Sequence, residues 1–345
     1  MVTQLINGTT ATTTNSRKHM DADSQARMIF DRLEDDFGKM VSRKDMDYIF
    51  YKNTAGGSGM NDAMFFYSEA PAYYDNTSIA NSSQNTVALV GYRVNTNLQL
   101  ERLGKGLTWD GATSVTTTPG GAVYLTVTGT VGGIPDTNST IATRWPAIGT
   151  PAGSNGSGAF NDGADTDYHL LSDQTYRMEI AFLLSNGTVS AKPILSGSGI
   201  NYTSSASDPP STTTGTAPTY PAGARWFNTS INQGYICTSA ANITSATSWT
   251  LTWNRIGIQD VNAIIVAIAI LDTTSREILT NTSSMVNVLT DPSDSDLASS
   301  PPILMAQTWS NIINSTTFAQ SAGIPQSAAS QIRIYQRYFY INNKQ

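Results

Sequence analysis

Cysteine is almost absent from this 345-residue chain: Cys237 stands alone, which excludes an intrachain disulfide framework. Histidine is nearly as scarce. His19 and His169 are the two present, and neither has the His, Cys or carboxylate spacing of a zinc site. Charged residues are 13% of the chain and the net charge is −6. With no basic patch interleaved with aromatics, that balance argues against a nucleic-acid partner. Long apolar runs are lacking too. The longest, Ala263 to Leu271, falls well short of the roughly 20 residues that cross a bilayer and reads as a buried central strand.

The usual catalytic signatures are also missing. No G-x-S-x-G turn marks a nucleophile, and no G-x-x-x-x-G-K-[ST] loop offers a phosphate cradle. Asp35 and Asp36 are neighbours on a helix and point to different faces, so they are not an acid–base dyad. The expectation is a non-catalytic protein with no resident cofactor.

What the chain does have is Ser, Thr, Asn and Gly in abundance, a composition that suits an exported, β-rich protein. Against it stands Ser16 to Arg43, in which Ala22, Ala26, Phe30, Leu33, Phe37 and Met40 recur at helical spacing. Ile29 and Val41 widen that stripe, while Arg27 with Asp31, Arg32 with Asp36 and Asp35 with Lys39 sit four apart on the polar side. Paired aromatic strands follow at 47–52 and 63–68, then 86–94 and 98–103. After a Gly, Thr and Ser-rich excursion at 110–165, alternation returns at 175–184, ended by Asn186-Gly187. A compact set of hairpin strands spans 224–253, a core strand 261–271, a helix 297–313 and a last strand 331–341. The expected division is a helical spine at 1–45 and a β-rich head at 46–345, with a β insertion at 208–255.

Two constellations are candidates for binding. Asp162, Asp165 and Asp167 lie on one loop with the hard oxygens calcium requires, although the pattern lacks the closing Glu of an EF-hand; a solvated acidic turn is the competing reading. Asp291, Asp294 and Asp296 form a weaker version. Trp226, Tyr235, Trp249 and Trp253 offer either a sugar-stacking platform or the core of a small β module.

Four stretches, ARMIFDRLEDDF, ALVGYRV with LQLERL, TYRMEIAFLLSNGT and DVNAIIVAIAILD, resemble the minor pseudopilin J subunit of type II secretion systems. DADSQARMIFDRLEDDFGKMV, FFYSEAPAYYD, LERLGKGLTWDG, DLASSPPILMAQTW and AGIPQSAASQIRIYQRYFYIN are similar to protein C of the Verru_Chthon cassette, a pilin-like family, over nearly the whole chain. The resemblance implies an α+β, pilin-like fold with a long N-terminal helix packed on antiparallel sheet. It implies a structural minor subunit of a type II secretion or type IV pilus-like assembly in the bacterial envelope. Its head would be periplasmic, with an inner-membrane anchor from an apolar helix that this sequence does not carry. Its partners would be other pilin-like subunits, met through the helix face bearing Arg27, Asp31 and Glu34. The rival expectation is an exported adhesin that binds glycans through the Trp-bearing insertion.

Overall fold

A computed structural model describes residues 2–41, 48–54, 61–73, 84–95, 97–108, 123–124, 130–131, 134–135, 168–195, 200–215, 217–229, 233–242, 248–256, 258–277 and 282–341. Helix α1 runs Val2–Gly38, about 55 Å at the usual rise. The first sheet follows in the antiparallel order β1-β2-β3-β4-β5, from Tyr48–Thr54, Asn61–Ser68, Ala88–Val94, Leu100–Thr108 and Tyr168–Ser172. A tight corner then carries the chain into β6 (Thr175–Leu184): the Ser172 hydroxyl accepts from the backbone N–H of Gln174 and of Thr175, each at 3.2 Å. The next turn places Gly187 at φ +83°, which glycine adopts without strain, and hands on to β7 (Val189–Ser190).

A separate five-stranded sheet comes next, ordered β8-β10-β11-β12-β9 from Tyr202–Ser205, Thr212–Thr214, Arg225–Asn228, Gln233–Asn242 and Ser248–Ile256. Its strands run from Tyr202 to Ile256, over the stretch where the sequence suggested an insertion at 208–255. Strand β13 (Val261–Ile270) returns to the main body and pairs with β6 on one side and with β14 (Arg333–Tyr340) on the other. The second sheet is thus β7-β6-β13-β14. Helix α2 spans Met305–Ile313. It starts later than the expected 297–313, because Pro301 and Pro302 donate no N–H and the chain stays non-helical until Leu304.

The expected architecture, one long helix laid along an antiparallel sheet, is overturned. Strand accounts for 43% of the described residues and helix for 27%, with the strands in three large sheets and two two-stranded ones. The physical reason lies in which residues are buried. Every position of β2 and β3 is buried, and nearly every one of β6 and β13, so these strands are covered on both faces. Among the side chains of α1 that the structure describes, the buried ones run from Ala22 to Phe37, with Met40 just beyond the helix end. That half acts as a wedge between sheets. The Phe37 ring lies 5.1 Å from Phe66 of the first sheet and 5.4 Å from Phe339 of the second.

At the other end the two sheets meet directly. The Asn61 carboxamide accepts from Met178 N–H at 2.8 Å, and the Asp62 carboxylate accepts from Ile180 N–H at 2.8 Å. Two side chains of β2 therefore satisfy backbone donors of β6 that no neighbouring strand reaches.

Candidate functional site

The polar side of α1 divides into two flanks with different fates. One is stitched to β14. Arg333 Nε donates to His19 Nδ1 at 2.8 Å, and the Tyr335 hydroxyl donates to Asp23 at 2.6 Å. Arg337 pairs with Asp31 at 3.3 Å and also with Glu34. Lys18 reaches Asp272 at 2.9 Å. Burial pushes the Tyr335 phenol up, and its bond to Asp23 adds to the shift. Alternate residues of one strand thus match successive turns of the helix. Asp31 and Glu34, expected to await a partner subunit, are already engaged by Arg337 within the chain.

The other flank is open. Ser24, Arg27, Met28, Asp31, Arg32 and Asp35 line a shallow groove of about 540 Å³, closed on one side by Leu171 of the edge strand β5. Met28 is 47% exposed, with Met20 at 63% on the preceding turns and Leu170 at 57% on β5. Among the described residues the only other large apolar side chain so exposed is Tyr340. Met28 and Leu171 beside alternating charges make a small, adaptable contact surface. Of the three residues expected to bind partners, Arg27 is the one this flank leaves uncommitted to β14.

Asp162, Asp165 and Asp167 lie outside the described residues. The weaker acidic set is dispersed: Asp291 pairs with Arg177, whereas Asp296 completes a capping box with Ser293 on the helical turn Asp294–Leu297. Among the described residues no cluster of three or more His, Cys, Asp or Glu stands ready for a metal. The sugar platform requires correction. Trp226, Tyr235 and Trp253 are buried with Cys237 and Leu251 as the core of the small module. Trp249 is half-buried, its indole N–H donating to the Gly215 carbonyl at 3.1 Å. Rings packed against one another, with Trp226 and Trp253 centroids 6.4 Å apart, present no face to a ligand.

Two buried charge clusters escaped the sequence reading. In the first, Asp36 of α1 takes a two-toothed ion pair from Arg102 of β4 and a hydrogen bond from the Tyr92 hydroxyl. Burial raises the Tyr92 phenol well above its usual range, reinforced by Asp36. Burial works against the Arg102 charge, but its bonds to Asp36 outweigh that and hold its proton more tightly than usual. In the second, Lys52, Asp62, Arg177, Glu179 and Asp291 converge where the sheets meet. Arg177 and Glu179 are 0% exposed. Their alternation with Tyr176, Met178 and Ile180 reads as a solvent-facing side, and Asn61-Asp62 reads as turn. The missed signal was a polar pair opening an otherwise all-apolar strand.

No family model matches the chain, and no curated protein or solved structure matches it either.

Proposed function

We propose that this chain is a structural, non-catalytic subunit of a bacterial envelope assembly. It acts as a minor pseudopilin-like component of a type II secretion or type IV pilus-like machine. The observation that carries the reading is the asymmetry of α1. One flank is bound to β14, while the other presents Arg27 and Met28 beside the edge strand β5. The motif resemblance supplies the class of assembly, and the exposed flank supplies the contact. A patch of this size suits one weak contact among many in an assembly, where linkage multiplies modest affinities. Its partners are other pilin-like subunits. The periplasmic placement and inner-membrane anchor rest on the resemblance; among the described residues no helix is long and apolar enough to cross a membrane.

A photo-crosslinking amino acid at position 28, introduced in the source cell, tests this reading. The expected adducts are with pilin-like proteins, and they disappear in an Arg27→Glu background. Adducts confined to other classes of protein, or none at all, would sink it.

A further inference from the structure

We infer that Lys52 and Asp62 are the partners of an intramolecular isopeptide bond, formed by the folded chain itself with Glu179 as its acid–base catalyst. The two reacting groups lie on adjacent antiparallel strands. The β1–β2 register runs through Phe50↔Met64 and Tyr51↔Ala63, so Lys52 and Asp62 come next on the two strands, just ahead of the irregularity at Thr54↔Asn61. Lys52 Nζ lies 3.1 Å from Asp62 Oδ2, in hydrogen-bond contact with the carboxyl group it would attack.

The third group is Glu179, fully buried on β6 and ion-paired with the same Lys52 Nζ. Neither of its carboxylate oxygens makes a hydrogen bond; Lys52 and Arg177, the latter at 3.2 Å, face it as charges alone. A carboxylate in contact with the nucleophilic nitrogen is what proton transfer requires. A fourth feature sits on the acceptor carboxyl: the Ile180 N–H points at Asp62 Oδ2 from 2.8 Å. Negative charge collects on that oxygen when an amine adds to the carboxyl carbon, and a fixed backbone donor stabilises it there.

The step balances without a co-reactant. It begins with proton transfer from the Lys52 ammonium to the Asp62 carboxylate, which gives the amine and the carboxylic acid. The nitrogen lone pair adds to Asp62 Cγ. Glu179 takes a proton from nitrogen and delivers it to the departing hydroxyl, which leaves as water when the C–O bond breaks. An ammonium and a carboxylate become one neutral amide and one water. The product ties β1 to β2 beside the point where β2 holds β6, and so locks the junction of the two sheets.

Mass spectrometry of the purified chain tests this directly. The expected intact mass is about 18 Da, one water, below that of the sequence. Trypsin should then fail at Lys52 and release Asp45–Arg93 as a single peptide with an internal bridge. A full intact mass overturns the proposal, and so does a deficit with normal cleavage at Lys52, which would place the lost water elsewhere. Lys52→Arg should restore the full mass. Asp62→Asn should form the same amide with loss of ammonia, about 17 Da. Glu179→Gln should abolish the deficit while the chain still elutes as a folded monodisperse species; a fully bridged Glu179→Gln protein would remove Glu179 from the catalytic role.

Discussion

Asp36 and Arg102, 66 residues apart in sequence, lock together beneath helix α1 with Nε–Oδ2 at 2.6 Å and Nη2–Oδ1 at 2.8 Å. The carboxylate is 0% exposed, and the Asp36 carbonyl also accepts from the Ser68 hydroxyl at 3.0 Å. This end of the helix is therefore held to three strands of the first sheet: β2 through Ser68, β3 through Tyr92 and β4 through Arg102.

Removing one partner of such a pair leaves the other buried and uncompensated. Asp36→Ala should cost about 3–5 kcal/mol in urea unfolding, because Arg102 and the Tyr92 hydroxyl both lose their acceptor. The double change Asp36→Leu with Arg102→Met should recover much of that loss, since a well-packed apolar pair of similar volume is often neutral. A single variant as stable as the parent would show that the pair opens to solvent.

Phe37 tests the wedge. Its ring contacts Phe66, Tyr92 and Phe339, rings from both sheets. Phe37→Ala should cost about 3–5 kcal/mol and loosen the helix from both sheets at once. Hydrogen exchange along 22–38 reads this: protection should fall across the whole stretch, not at position 37 alone.

Individual elements were legible beforehand, for a definite reason, although the architecture they build was not. The stripe Ala22 to Met40 and the strands at 63–68, 175–184 and 261–271 carry periodicities that burial enforces directly. The Trp-bearing module was legible as a unit, since its hairpins are local. What could not be read was which faces meet. Arg177 and Glu179 alternate with apolar neighbours as a surface pair would, and only the approach of Lys52 and Asp62 from another sheet makes their burial tolerable. Likewise nothing in the spacing of Asp31 and Glu34 reveals Arg337, some 300 residues away, as their partner. Long-range electrostatic pairing leaves no local periodicity.

Alkaline pH should expose the buried phenols. Burial raises Tyr51, Tyr92 and Tyr176 above the usual tyrosine range. In the unfolded chain these groups lose protons near pH 10, while the folded chain retains them. Their stabilising contribution is therefore complete below about pH 10 and declines as pH rises beyond it, by up to about 1.4 kcal/mol per pH unit for each phenol. Absorbance near 295 nm should show part of the 15 tyrosines ionising reversibly around pH 10. The remainder should ionise together with loss of tertiary structure. One smooth titration of all of them with the fold intact would contradict their burial.

The last prediction concerns the seam where Asn61 stands in for a strand. Its carboxamide accepts from Met178 N–H at 2.8 Å and donates to the Tyr176 carbonyl at 3.3 Å, offering β6 the donor and acceptor of a peptide group. β7 pairs with β6 only at Phe182 and Leu183, so these positions depend on β2 for partners. Asn61→Leu keeps the volume but removes both bonds, leaving a buried N–H with no acceptor. Such a group costs about 1–3 kcal/mol, more than the net value of the bond itself. Asn61→Asp keeps an acceptor for Met178 but turns a second oxygen toward the Tyr176 carbonyl, so it should also destabilise. The distinguishing measurement is amide exchange at Met178 against Ile180. Met178 should lose protection in Asn61→Leu and keep more of it in Asn61→Asp, while Ile180, held by Asp62, should keep most of its own in both. Equal loss at both residues would mean that the seam opens as one unit and that Asn61 has no separate part in it.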